Sequence, residues 1–433
     1  MHNLLRLCSL SLATVLPVFA QTDRYVGGAR PGAYPDLASA IAAAAPGDRI
    51  LLETDLLLYT SVVVDRSVRI QPAPGRARSR ISMTPGGTGQ SGGIAISALT
   101  PGIALEFQSI TFEMDDMTWW HIAGLRTTTA VQGEIRFDGV EIGTLSRQGW
   151  LQHVLLRLHA SKVWLRGCTI DAGVQQPDTA CFDSEVGYEA SSCLDVTADL
   201  LVLEDCTLRA TSGAWIQSHS TNCFGCGNPL PYTRRSPHGG FALRANTQHT
   251  YLVRTRISDG NGGGAQPQLP PCGSYAFPGN PGLSLLTGPT GEVHAYDFVH
   301  ELGVVGQTTT FPIPGSPRGP LVRIGVLEAP LRLHGDAELG GTLQATITAA
   351  NGVAAVLTLS FDWVPTYTPL GTVVLDPIDS HFAYLVAPNA TMQWAVPLDP
   401  VFHSVPAVAQ LFPLDATLVW SAANPSGVTL RLP

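Results

Sequence analysis

The sequence predicts an all-β protein: a long stack of strand–corner–strand coils, followed by a smaller β-rich region of different texture. Three observations predict it. A short apolar strand pattern with a polar corner recurs at least five times between residues 105 and 257. Forty-four glycines and 33 prolines among 433 residues punctuate β-branched runs, and only one short stretch has apolar residues at helical spacing. From about Leu331 the repeats stop, and prolines separate short β-rich runs.

The chain is 45% hydrophobic and 14% charged, enough apolar matter for a large core. Acidic residues exceed basic ones by nine and no basic stripe is visible in the linear sequence, which argues against nucleic-acid or acidic-membrane binding by charge alone. Only Lys162 among the 25 basic residues is a lysine. His2 and Arg6 precede an apolar run from Leu7 to Val18, and Val18-Phe19-Ala20 has small residues where a signal peptidase reads. Residues 1–20 are therefore expected to be a signal peptide, Gln21 the mature start, and the protein secreted or displayed at the cell surface. The run is too short to span a bilayer, and no later stretch is long enough.

The elements follow in order. Tyr34 to Ala45 reads as a short amphipathic helix, with Asp36 near its start and Pro46-Gly47 closing it. Asp48–Glu53 and Ser61–Ile70 read as strands bounded by turn residues. A short helix, a Pro-Gly-Asp turn, an Ile50-Leu51-Leu52 strand and a Ser67-Val68-Arg69-Ile70 strand, in that order, resemble the N-terminal cap of pectin-lyase-like proteins. The resemblance implies a right-handed parallel β-helix over residues 21–330, with the helix plugging the open end of the stack.

Internal repetition supports the same reading. Leu105–Phe112, Ile135–Ile142, Val163–Ile170, Leu201–Leu208 and Tyr251–Ile257 align, and Val293 to Val299 is a degraded sixth copy. Alternation sets one row of side chains inward, and the corner turns the chain onto the next face. The equivalent positions 110, 140, 168, 206 and 255 are 30, 28, 38 and 49 residues apart. The last intervals require long excursions near 172–193, 217–240 and 260–281, and loops of that length are commonly functional or disordered rather than mere connectors. Residues 331–433 are expected to form an accessory β-sandwich from runs at 341–348, 354–361, 371–375, 391–396, 417–421 and 428–432.

Seven cysteines follow the leader. Cys168 and Cys206 hold the same place in successive copies, which suits buried, stacked thiols, with a disulfide between them as the rival. Cys181 and Cys193 bracket a long loop and are the preferred disulfide. His219, Cys223, Cys226 and His238 offer donors for tetrahedral zinc, but irregular spacing and an oxidising compartment favour disulfides, with Cys272 as a further partner.

Carboxylates could protonate a glycosidic oxygen, activate water or hold calcium, the cation such a set would suit. Asp115 and Asp116 stand beside Glu113, and Asp183, Glu185, Glu189 and Asp195 crowd the first long excursion. Lys162 and Arg166 are the basic candidates, both expected to face solvent. Solvated loop rims are the favoured explanation of each cluster, since a linear sequence shows no convergence in space. Trp119 and Trp120, with His121 and Trp150, could stack on sugar rings or pack as partly buried aromatics. The polygalacturonase and pectin methylesterase motifs are absent, so the resemblance extends to the fold and carries over no catalytic residue. The expected function is interaction with an extracellular polysaccharide or cell-surface glycan, including cleavage by a lyase or hydrolase. A non-catalytic adhesin or structural surface protein is the alternative.

Overall fold

The computed structural model describes residues 21–84, 92–114, 124–144, 154–173, 190–213, 233–235, 238–262, 275–277, 282, 284–285, 292–303, 330–335, 337–349, 352–360, 363–368, 371–375, 382–387, 389–398, 406–420 and 423–430. The protein is all-β, with large parallel sheets curled around one apolar core and separate antiparallel sheets after residue 330.

The main parallel part consists of three ladders, to each of which successive coils add a strand, and Thr233–Arg235 pairs with Tyr275–Phe277 in a separate two-stranded parallel sheet. The first runs through Ser61–Val64, Gly93–Ile96 and Leu125–Thr127 to the leading halves of Val154–Arg166, Ser192–Glu204 and Leu243–Val253. The second takes Asp23–Val26, Arg49–Leu52, Arg69–Pro72, Leu105–Gln108 and Val131–Asp138, the trailing halves of those three long strands, and Glu292–Tyr296. The long strands fuse these two ladders into one curled twelve-stranded sheet. The third ladder is an eight-stranded sheet from Leu56–Leu58 to Val299–Glu301.

In-register pairing stacks like residues. On the second ladder Ile50, Ile70, Phe107, Phe137, Leu165, Leu203, Leu252 and Ala295 form one inward row, all buried. Phe107 stacks on Phe137 with centroids 5.2 Å apart. The third ladder contributes Ile81, Phe112, Ile142, Ile170, Leu208 and Ile257. Each fully buried large side chain contributes roughly 1.5–3 kcal/mol, which makes these rows the main source of cohesion. Cys168 and Cys206 stack in the corner row with Val140 above and Thr255 below, as free thiols. Each donates to backbone carbonyls, so they pack as small hydrophobes rather than bridging.

The polar corner has a backbone cause. Ser109, Gly139, Gly167, Asp205, Arg254 and Asp297 all adopt positive φ, between 46° and 61°, and swing the chain from the second ladder to the third. Coil-to-coil hydrogen bonds persist through the bend, as from Gly139 N to Arg166 O at 2.8 Å. Left-handed backbone at a non-glycine costs about 1–2 kcal/mol, so Asp205 and Arg254 require compensation from their side chains.

The expected helix spans Leu37–Ala43. Asp36 caps it by accepting from Ser39 N at 2.7 Å, and Leu37, Ala40 and Ile41 enter the main core.

After residue 330 all described strand pairing is antiparallel. Leu331–Gly335, Thr342–Thr348 and Asn389–Ala395 form one sheet, and Phe382–Val386, Gly352–Ser360, Pro406–Asp415 and Pro425–Thr429 another. Leu333, Ala345 and Ile347 of the first share a core with Leu357, Ala409 and Leu411 of the second. Trp363–Thr368 and Gly371–Leu375 make a two-stranded sheet. Within the expected strand at 417–421 the chain turns at Thr417–Leu418 and makes only a bridge from Trp420 to Leu414 among the described residues, while Pro406–Asp415 is a strand that proline and alanine disguise in the sequence.

This region lies on the outer side of the second ladder. Val408 and Phe412 pack against Trp164, Val202, Tyr251 and Tyr296. Beside them Glu204, 1% exposed, accepts from Arg254 Nη2 at 2.7 Å, from Ser426 Oγ at 2.5 Å and from Gly427 N at 3.3 Å. Arg254 also donates to Asp205 at 2.8 Å and to Leu331 O at 2.9 Å, and Arg166 to Leu333 O at 3.0 Å. The strained corners are thus the places where the C-terminal strands are fastened.

Candidate functional site

With the second face covered over its later coils, the first and third faces remain. Outward residues of the first ladder stack as Ala95, Arg126, Arg157, Asp195 and Arg244, one per coil. Arg157 and Arg244 are exposed, and the Arg244 guanidinium lies 4.0 Å over the Phe241 ring, which fixes its position. Arg157 Nε stands 3.5 Å from Asp195 Oδ2. The next outward row holds His159, Thr197 and Asn246. Arg157, His159, Asp195 and Thr197 of these rows, with Thr127–Ala130, border a shallow cleft of about 230 Å³. Three arginines against one aspartate make this row positive in a chain whose net charge is −9.

The third face is balanced. Its two outward rows read Arg80, Thr111, Glu141, Thr169, Thr207, Arg256 and Ser82, Glu113, Gly143, Asp171, Arg209, Ser258, Glu301. Acids and bases there pair locally: Arg80 with Glu113 at 3.2 Å and Arg256 with Glu301 at 3.1 Å. The hydrogen bond from Ser258, ahead of the nearby arginines, holds Glu301 below the usual carboxylate range.

The edge between the third and first ladders is where the long connections leave and return. Its later coils are joined by a glycine seam, with Gly240 N donating to Thr211 O, Gly260 N to Gly240 O and Gly282 N to Gly260 O at 2.8–2.9 Å. A Cβ on Gly260 would sit 1.9 Å from Thr211 O, so only glycine permits this approach. Beneath it Asp259 accepts from Ala242 N, Ser284 N, Ser284 Oγ and His300 Nε2. Burial would raise the Asp259 pKa, but the bonds from His300, Ser284 and the two amides outweigh it and hold the carboxyl low. His300 ends the inward row that begins at Leu56 and runs through Ile81, so this cluster is the polar terminus of the apolar stack. It is fully satisfied internally.

Of the expected site residues, Asp115, Asp116, Trp119, Trp120, Asp183, Glu185, His219, Cys223 and Cys226 lie outside the described residues, as does Cys181. The described ones do not converge. Asp195 is on the first face, whereas Lys162 and Arg166 belong to the second-ladder half of Val154–Arg166. Lys162 is interior to that strand rather than before it, and Arg166 is engaged by Leu333. Cys193, expected in a loop, lies instead on Ser192–Glu204 as a fully buried thiol donating towards Ile170 O, and burial pushes its pKa up. No two described cysteines stand at disulfide distance. His238 N-terminal to the glycine seam accepts from Ala190 N through its carbonyl. Among the described residues no three His, Cys, Asp or Glu side chains are grouped to hold a metal.

Sequence reasoning missed the arginine row. Arg126, Arg157 and Arg244 are separated by unequal intervals, and only the pairing register places them in line. Compared with protein-family models, curated proteins and solved structures, the chain matches none.

Proposed function

We propose that this chain is a secreted, right-handed parallel β-helix of pectin-lyase-like type over residues 21–330, carrying a C-terminal β-sandwich over 331–433. Its function is to bind an acidic extracellular polysaccharide along the first face. The carrying observation is the row Arg126, Arg157, Arg244, aligned by strand register on an exposed face of an otherwise acidic protein. Stacked strands are about 4.8 Å apart, so the row runs along the stack and suits a linear polymer rather than a compact ligand. The adjacent His159, Thr197 and Asn246 offer hydrogen bonds to sugar hydroxyls. Binding is favoured over cleavage because the described acid and base candidates, Asp195, Lys162 and Arg166, stand on different faces.

The test is retention of the purified mature chain on uronate-rich and neutral polysaccharides, with and without calcium, with release of reducing ends and of unsaturated products followed in parallel. Retention on acidic polymers, weakened by salt and by Arg157→Gln or Arg244→Gln, is expected. Retention that ignores both salt and these substitutions would refute the assignment to this face. Chain cleavage would make the protein an enzyme, with its reacting groups elsewhere than this row.

A further inference from the structure

We infer that Asp195 acts as a spacing filter, so that the first face selects polysaccharides bearing an acid on every second sugar over those bearing one on each. The inference rests on the acidic-polysaccharide reading and narrows it. Arg157, Asp195 and Arg244 are strict register partners in three consecutive coils. The two arginines are therefore two strand spacings apart, about 9.6 Å along the stack. One pyranose is about as long as one strand spacing, so an extended chain laid along the row presents about one sugar per coil.

The sugars over Arg157 and Arg244 meet guanidinium groups. The sugar between them meets a carboxylate. Asp195 is 22% exposed at its side chain and held by Arg157 at 3.5 Å, so it stays in the row rather than turning away. A ligand hydroxyl there can donate to it, whereas a ligand acid is repelled. The other basic side chains near this position are Arg126, in the coil before Arg157, and His159, in the next outward row of the same strand as Arg157. A like charge about 5 Å away in water changes affinity on the order of three- to five-fold.

The probes are hyaluronan, in which uronate alternates with a neutral amino sugar, and polygalacturonate, in which every sugar is acidic, compared at equal ionic strength by calorimetry or surface retention. Wild type should favour hyaluronan. Asp195→Asn keeps the volume and removes the charge. It should tighten polygalacturonate three- to five-fold and hyaluronan by a smaller factor, so that the preference for hyaluronan narrows, with Asp195→Ala shifting the ratio in the same direction. Equal changes on both polymers, or none on polygalacturonate, would overturn the filter while leaving the binding reading intact. Failure of wild type to retain any acidic polysaccharide would overturn both.

Discussion

Replacing Glu204 by alanine should unfasten the C-terminal strands from the coil stack. Glu204 is nearly inaccessible and accepts from Arg254 Nη2 at 2.7 Å, Ser426 Oγ and Gly427 N. Hydrogen bonds to a charged group contribute about 1.5–3 kcal/mol each, and breaking one side of a buried pair costs about 3–5 kcal/mol. Arg254 keeps Asp205 at 2.8 Å, which moderates the loss, so Glu204→Ala should cost about 3–4 kcal/mol. Ser426→Ala alone should cost about 1–2 kcal/mol, since its hydroxyl also accepts from Leu333 N at 2.9 Å. The double mutant should show a coupling of about 1–2 kcal/mol, because both changes remove the same contact. Denaturant unfolding of the purified chain, followed by Trp fluorescence and far-UV circular dichroism, measures all three variants. The two probes should move together, since Trp164 and Tyr251 lie beneath Val408. A cost below about 1 kcal/mol for Glu204→Ala, or coupling below about 0.5 kcal/mol, would mean that this contact does not hold the two regions together.

Three further outcomes are expected. Asp259 has a folded pKa below its unfolded value, so its contribution to stability is present above about pH 4 and is lost as pH falls through the folded pKa. Asp259→Asn should remove that acid-side slope, and an unchanged slope below pH 4 would exclude Asp259 as its source. Gly260→Ala should destabilise by about 3 kcal/mol or more, since its Cβ would meet Thr211 O at 1.9 Å; a variant as stable as wild type would show that the seam yields. Burial raises the thiol pKa values of Cys193 and Cys206, so mass-spectrometric mapping of alkylation at pH 8 should find Cys168, Cys193 and Cys206 modified only in denaturant. Native-state labelling at any of the three would contradict their burial.

Much of the coil stack was legible because it is periodic. Ile110, Val140 and Cys168 recur at intervals near 30 residues, and one apolar row at that spacing is enough to expose a repeat. The helix was legible from Asp36 and Pro46-Gly47, which are local signals. Strand Pro406–Asp415 escaped because β pairing with Gly352–Ser360 overrides its weak local preference. The placement of Cys193 escaped for a related reason: a loop and a strand entrance look alike where the chain lengthens between copies.

The sequence by itself determined the all-β class, the inward apolar rows and the alignment of Cys168 with Cys206, since each depends on spacing along the chain, whereas their free state was decided by the structure. Only the tertiary structure decided which outward residues become neighbours. Arg126, Arg157, Asp195 and Arg244 form one row because strand register fixes alignment to a single residue, and a slip of one would turn every side chain to the opposite side. Glu204 and Ser426, 222 residues apart, meet because Val408 and Phe412 cover the apolar outer side of the second ladder. Burial there forced the polar corner to find partners, and no pattern along the chain specifies a contact of that separation.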